Sequence, residues 1–193
     1  MVVPGGRFRE IYYWDSFWII RGLLQCEMYD TVKGMLLNFV HLIEQYGKIP
    51  NGGRKYYLNR SQPPLFIQMV YEYEQNTGDT DFVKCILPQM VQEFTYWQTE
   101  HLVTFDKNGT KYRMIRYNCE DNGPRPESYF EDYNLVQNWT KSDTEKNEMY
   151  WELKTGAETG WDYSTRWYIS EAKGELQDTK PRSIIPVDLN WSS

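Results

Sequence analysis

Apolar residues recur along the first hundred positions with the period of a helix. Val32, Leu36, Phe39, Val40 and Ile43 fall on a single helical face. Gly47 ends that helix, and Pro50-Asn51-Gly52-Gly53 forms a loop. Phe66, Met69, Val70 and Tyr73 mark a second amphipathic helix, opened by Pro63-Pro64 and stopped by Gly78. Upstream, Asp15-Ser16 predicts an N-cap for a helix over Phe17–Glu27. Downstream, Asp79, Thr80 and Asp81 cap a segment whose apolar positions are Val83, Leu87, Met90, Val91, Phe94 and Trp97. Pro88 inside it either kinks the helix or starts another.

The period changes near residue 103. Val103–Asp106 and Lys111–Tyr117 flank the turn signal Lys107-Asn108-Gly109, which predicts a short hairpin. Residues 120–128 read as a loop. Helix resumes near Tyr129 and runs with weaker patterning to Leu153. A polar loop follows over Thr155–Gly160, a further helix starts near Ser164, and the tail from Ile184 to Ser193 reads as extended. The pattern is a succession of helices, without a βα alternation or a sequence repeat.

Composition changes this picture in one respect. Phe, Trp and Tyr make up 17% of the 193 residues, with 16 Tyr and 8 Trp. A ring-rich core accounts for that, and so does a cleft for sugars, whose C–H faces and hydroxyl edges suit amphipathic rings. The net charge of -6, from 27 acidic and 21 basic residues, argues against nucleic acid or an anionic membrane surface as partner. Three cysteines are too few for a disulfide scaffold, and Cys26 and Cys85 read as buried thiols in apolar helical patterns. No apolar stretch is long enough to span a bilayer, and the first residues carry no signal peptide. Four glycosylation sequons begin at Asn59, Asn108, Asn138 and Asn190; those at Asn108 and Asn138 lie in polar segments and favour a secretory, extracellular location.

Four clusters hold groups that suit a sugar site. They are Pro4–Asp15, Ile49–Arg54 continuing to Asn59–Pro64, Arg125-Pro126-Glu127-Ser128, and Glu158–Trp167. Singly, each has a structural explanation: Asp15 and Asp162 as helix caps, Asn51 as a turn residue, Arg125 and Glu127 as a solvated loop. Together they offer planar donors and acceptors for vicinal hydroxyls, with Trp faces for stacking. Glycoside hydrolysis also needs a carboxylic acid beside the glycosidic oxygen. Asp162 beside the ring of Trp161, where lower polarity favours the protonated form, is the candidate.

At these clusters the sequence resembles the trehalase family of glycoside hydrolases. Pro4 to Asp15 is very similar to the family's first signature, Pro-Gly-Gly-Arg-Phe-x-Glu-x-Tyr-x-Trp-Asp, at every spacing. Ile49-Pro50-Asn51-Gly52, Arg60-Ser61-Gln62-Pro63-Pro64, Arg125-Pro126-Glu127-Ser128 and Gly160-Trp161-Asp162 resemble further family motifs, in order. The resemblance implies an all-α fold, here a partial (α/α)6 toroid with a small β excursion around 103–117, and a single incomplete catalytic domain over 1–193. It implies hydrolysis of α,α-trehalose to two glucose molecules with inversion, without metal or organic cofactor. By position, Arg7, Trp14, Asp15, Asn51, Arg60, Ser61, Gln62, Arg125, Pro126, Glu127 and Gly160 would bind the disaccharide and Asp162 would be the general acid. The family's second signature and its catalytic base, a Glu, have no matching position here, and Glu152 and Glu158 do not fit that motif. The isolated chain is therefore expected to turn over little. The alternative is a non-catalytic sugar-binding remnant. Membrane anchoring is not decided by these residues.

Overall fold

A computed structural model describes residues 1–140, 142–169 and 174–191. The chain divides into two compact units, Met1–Glu100 and His101–Asn190. The fold class is the expected one: helices dominate, with one two-stranded sheet. No helix among the described residues is long and apolar enough to cross a membrane.

The first unit consists of α1 (Asp15–Gln25), α2 (Tyr29–Tyr46), α3 (Phe66–Thr77) and α4 (Thr80–Glu100). The expected face of α2 is the one it buries: Val32, Leu36, Phe39, Val40 and Ile43 join Met35 in the core. Phe66, Met69, Val70 and Tyr73 of α3 pack into the same cluster. Gly47 and Gly78 close α2 and α3 in the left-handed conformation. Two helix starts differ from expectation. α1 begins at Asp15, because Ser16 turns its hydroxyl back to the Tyr12 carbonyl (2.7 Å) and caps nothing. Pro63-Pro64 precede α3, whose first amide, Phe66, is taken by the Tyr13 hydroxyl at 3.1 Å.

α4 is one uninterrupted helix with Pro88 inside it, neither a pair nor a break. Its buried stripe is Phe82, Ile86, Glu93 and Trp97. Leu87, Val91 and Phe94, expected on the apolar side, are exposed. Hydrophobicity alone missed the stripe because one of its four members is an acid. Cys26 and Cys85 are also exposed, contrary to expectation. Cys26 caps the end of α1, and Cys85 sits on α4 just before the buried Ile86.

The second unit opens with the hairpin of β1 (Leu102–Lys107) and β2 (Thr110–Ile115), paired antiparallel from Leu102↔Ile115 to Lys107↔Thr110. Asn108 and Gly109 both have positive φ, 55° and 78°, as a two-residue hairpin turn demands. The amide of Asn190 brackets the far end, donating to the Ile115 carbonyl and accepting from its N–H.

Beyond the hairpin, the expected helix over 129–153 is two helices, α5 (Tyr129–Trp139) and α6 (Asp143–Glu158), because Thr140 is extended and Ser142 caps α6. The polar run from Thr155 is the last turn of α6, not a loop. Its polar groups are buried and each has a partner. Lys154 donates to the Asp121 carbonyl (2.7 Å), the Asn122 carbonyl (3.0 Å) and the Asp121 carboxylate. The Thr155 hydroxyl accepts from Cys119 N, Glu158 Oε2 from Asn118 N, and Glu152 Oε2 from Arg182 N. Composition cannot separate such a turn from a loop, since only these contacts make it buriable. Ser164 caps only a short 3-10 turn, Thr165–Trp167. The tail is not wholly extended: Val187–Trp191 forms α7. Ser192 and Ser193, with the end of the last sequon, lie outside the described residues.

Candidate active-site segments

Five of the predicted residues in the first unit, Trp14, Asn51, Arg60, Ser61 and Gln62, are tied together by hydrogen bonds between neighbouring segments. The loop at Asn51 and the extended strand of chain at Arg60–Gln62 run side by side, Asn51 N donating to Arg60 O at 3.0 Å. Arg60 returns a bond from Nη2 to Asn51 Oδ1 (3.1 Å) and lies over the ring of Tyr57, 5.1 Å from its centroid. The first motif joins on the other side. Tyr13 N donates to Asn51 O (3.2 Å), and Trp14 N donates to Gln62 Oε1 (3.1 Å). Ser61 uses its hydroxyl on Ile49 O at 2.7 Å. Asn51, Arg60, Ser61 and Gln62 are all buried, which is unusual for polar residues outside helices and strands, and these bonds meet part of the demand that burial makes.

Trp14 is half-buried and edge-on to Trp18 at 5.0 Å, and Asp15 occupies the first turn of α1 beside it. A carboxylate there faces the positive end of the helix dipole. Arg7 is apart from the network. It is exposed at the tip of a turn closed by paired bonds between Gly5 and Phe8, its guanidinium 4.8 Å from the Phe8 ring centroid.

Packed against the motif is a pair that no motif or periodicity singles out. Tyr13 is fully buried, and its hydroxyl donates to Glu93 of α4 while accepting from Phe66 N. Burial raises the Glu93 carboxyl to about 8 against an ordinary 4.5, the Tyr13 hydrogen bond opposing. Burial, then the Glu93 carboxyl, push the Tyr13 phenol well above its usual value. Glu93 is therefore protonated at neutral pH.

In the second unit, Arg125 is buried and held by Asp132 of α5. Nε and Nη2 make the bidentate pair at 2.8 and 2.7 Å, and the backbone N of Arg125 adds a third bond at 3.0 Å. Burial lowers the guanidinium's pKa, but the Asp132 bonds outweigh it and hold it above the ordinary range. These donors serve Asp132, so Arg125 is first an anchor of its own loop. Pro126 and Glu127, in the 3-10 turn that follows, are exposed.

The Asp162 turn is fastened through Tyr163. The Tyr163 hydroxyl donates to Leu153 O (2.9 Å), its ring lies under the Arg125 guanidinium (5.0 Å), and it presses against the backbone of α6 at Gly156. Gly160, in the left-handed conformation, ends α6 and releases the chain into Trp161-Asp162. Asp162 is exposed, and Trp161, also exposed, is stacked by Arg166 at 5.1 Å. Glu158 faces away from such a role: it is buried, with Oε2 on Asn118 N. Asp132, which holds Arg125, lies outside the four clusters, and Tyr163 lies within the last of them with no expected role. The only sequence signal for Tyr163 is its place next to Asp162.

A methyl group on Gly156 would stand 2.6 Å from Tyr163 Cε1 and 2.9 Å from Cδ1. The ring is fixed by its hydroxyl and by Arg125, so relief requires moving the Asp162 turn. Gly156→Ala is expected to destabilise the chain by about 1–3 kcal/mol, measured by urea unfolding. Unchanged stability would mean that Tyr163 is free to swing aside.

Among the described residues, no group of His, Cys, Asp and Glu is arranged to hold a metal ion. The trehalase family model matches residues 1–191. The chain is 53% identical over 192 residues to a trehalase of Apis mellifera, covering 98% of this chain and 30% of that protein. It is 45% identical over 190 residues to a trehalase of Homo sapiens, covering 98% of this chain and 32% of that protein. The chain thus spans about a third of the length of these relatives. Among solved structures, neutral trehalase Nth1 from Saccharomyces cerevisiae is similar with a TM-score of 0.64 and 27% identity, over 86% of this chain and 34% of that one.

Proposed function

From the premise that this chain belongs to the trehalase family, we propose that its residues form the part of a trehalase that grips α,α-trehalose and protonates the leaving glucose. The observation that carries this reading is the family match over residues 1–191, with the five motifs named above in order. The chemistry of the groups supports it. Arg7, Trp14, Asp15, Asn51, Arg60, Ser61 and Gln62 offer donors, acceptors and a ring edge to one glucosyl unit. In the second unit Arg125, Pro126, Glu127 and Gly160 precede Asp162 in sequence, in two segments. Asp162 delivers a proton to the glycosidic oxygen as the C–O bond breaks, and water attacks the anomeric carbon from the opposite face, inverting it. That water needs a second carboxylate as base, ~6.5–9.5 Å from the first. The family motif carrying it has no counterpart in these residues, and Glu158 is committed to Asn118 N.

Calorimetry with trehalose, paired with a glucose-release assay on the purified chain, tests this. Saturable binding is expected, weakened at least about tenfold by Gln62→Ala, the cost of one lost hydrogen bond to a buried network. Glucose release is expected to be small and to vanish in Asp162→Asn. Absence of binding overturns the sugar-site assignment. Turnover matching that of the Apis mellifera relative overturns the assignment of the base to a position beyond these residues.

A further inference from the structure

The hairpin of the second unit has a face that the hydrolytic reading does not use. Its register places Val103, Phe105 and Lys107 opposite Met114, Tyr112 and Thr110, so these side chains share one side. The rings of Phe105 and Tyr112 stack across the strands, centroids 5.4 Å apart and 18° from parallel. Beside them is a depression of about 360 Å³ lined by Phe105, Lys107, Asn108, Thr110, Tyr112 and Met114. Asn108 is the first residue of a sequon, Asn108-Gly109-Thr110, and it stands at the apex of the turn. Asp106 accepts the Gly109 N–H at 2.9 Å and steadies that turn while leaving the Asn108 amide exposed.

We propose that Asn108 is an acceptor for an N-linked oligosaccharide whose first sugar lies on the Phe105–Tyr112 ring pair. Three observations converge on Asn108. Asn108 is exposed in the two-residue turn at the tip of the hairpin, where it and Gly109 both have positive φ. The hydroxyl residue of the sequon, Thr110, is exposed beside it and pairs with Lys107 across the turn. The depression that includes Asn108 is floored by rings, the surface on which the C–H face of a sugar packs. Two other sequons lack these properties. Ser61, which completes the first, is fully buried on Ile49 O, and the Asn190 amide is spent on Ile115. Asn138 is exposed on α5.

The modification is a group transfer from a lipid-pyrophosphate-linked oligosaccharide. The Asn108 amide nitrogen bonds to the anomeric carbon, and the bond from that carbon to the pyrophosphate oxygen breaks. The lipid pyrophosphate leaves with the electron pair, and the amide gives up one proton to a base of the transferase.

The full chain, secreted from eukaryotic cells behind a cleavable leader, tests the proposal. Peptide mass spectrometry is expected to find a glycan on the peptide holding Asn108. Unmodified Asn108 in the secreted, folded chain overturns the site. The ring contact is tested by comparing the thermal midpoint of this material with that of the same sequence made without glycans in bacteria. The glycan is expected to raise the midpoint by about 2–4 °C. In a Phe105→Leu pair, which keeps an apolar side chain but removes the ring, most of that gain is expected to disappear. An equal gain in both pairs overturns the ring contact while leaving the site, and any contribution from Asn138 cancels in the comparison.

Discussion

Asp132→Asn is expected to destabilise the chain by about 3–5 kcal/mol, the cost of leaving one partner of a buried ion pair without the other. Arg125 is buried, and three of its bonds end on the Asp132 carboxylate. Water cannot replace them, so the guanidinium must either stay uncompensated or pull its loop outward. Tyr163 then loses the cation above its ring, and the Asp162 turn loses one of its fastenings. Denaturant unfolding gives the stability and calorimetry with trehalose gives the functional effect. A second variant separates the two. Replacing both partners, Arg125→Met with Asp132→Leu, is expected to recover most of the stability, since a packed apolar pair avoids the desolvation cost. It is not expected to restore binding. A single variant as stable as the native chain would show that the pair is solvated in solution.

The second large effect depends on pH. Glu93 holds its proton in the folded chain up to about pH 8, whereas in the unfolded chain the carboxyl ionises near 4.5. A raised carboxyl pKa leaves stability intact only while both states are protonated. Below pH 4.5 it has no cost. Between 4.5 and 8 the unfolded state gains by ionising and stability falls, and above 8 the loss levels off. The full drop is on the order of 4–5 kcal/mol. Glu93→Gln keeps an acceptor for the Tyr13 hydroxyl but cannot ionise. It is expected to match the native chain at pH 4 and to exceed its stability increasingly up to pH 8. Unfolding curves of the two proteins across that range provide the check. A difference that does not change with pH would place Glu93 in contact with water.

These two residues also mark how far the sequence could be read. The helices of the first unit were legible because each buries a continuous apolar face, as α2 does with Val32, Leu36, Phe39, Val40 and Ile43. The hairpin was legible because Asn108-Gly109 accepts a backbone that few residue pairs tolerate. The motif residues Asn51, Arg60 and Gln62 were legible through family resemblance, and the structure adds that Asn51 and Arg60 are bonded to each other and Gln62 to Trp14. What escaped was wherever a polar residue does a core residue's work. Glu93 took a place in the α4 stripe and rotated its apparent face, so Leu87, Val91 and Phe94 were assigned inward and point out. Asp132 looked like one more surface acid on a weakly patterned helix. No periodicity reveals such groups, because their burial depends on a partner distant in sequence or in another element.

The buried end of α6 constrains the chain in another way. Its polar groups are met by closely spaced main-chain positions: Asn118 N by Glu158, Cys119 N by Thr155, and the carbonyls of Asp121 and Asn122 both by Lys154. Loops of this composition ordinarily absorb gained or lost residues easily. Here one added residue would slide every amide and carbonyl past its mate, stranding Glu158, Thr155 and Lys154 together. Among natural variants, residues 118–122 should therefore change in side chain far more readily than in length, a stretch that looks like slack but behaves as a ruler.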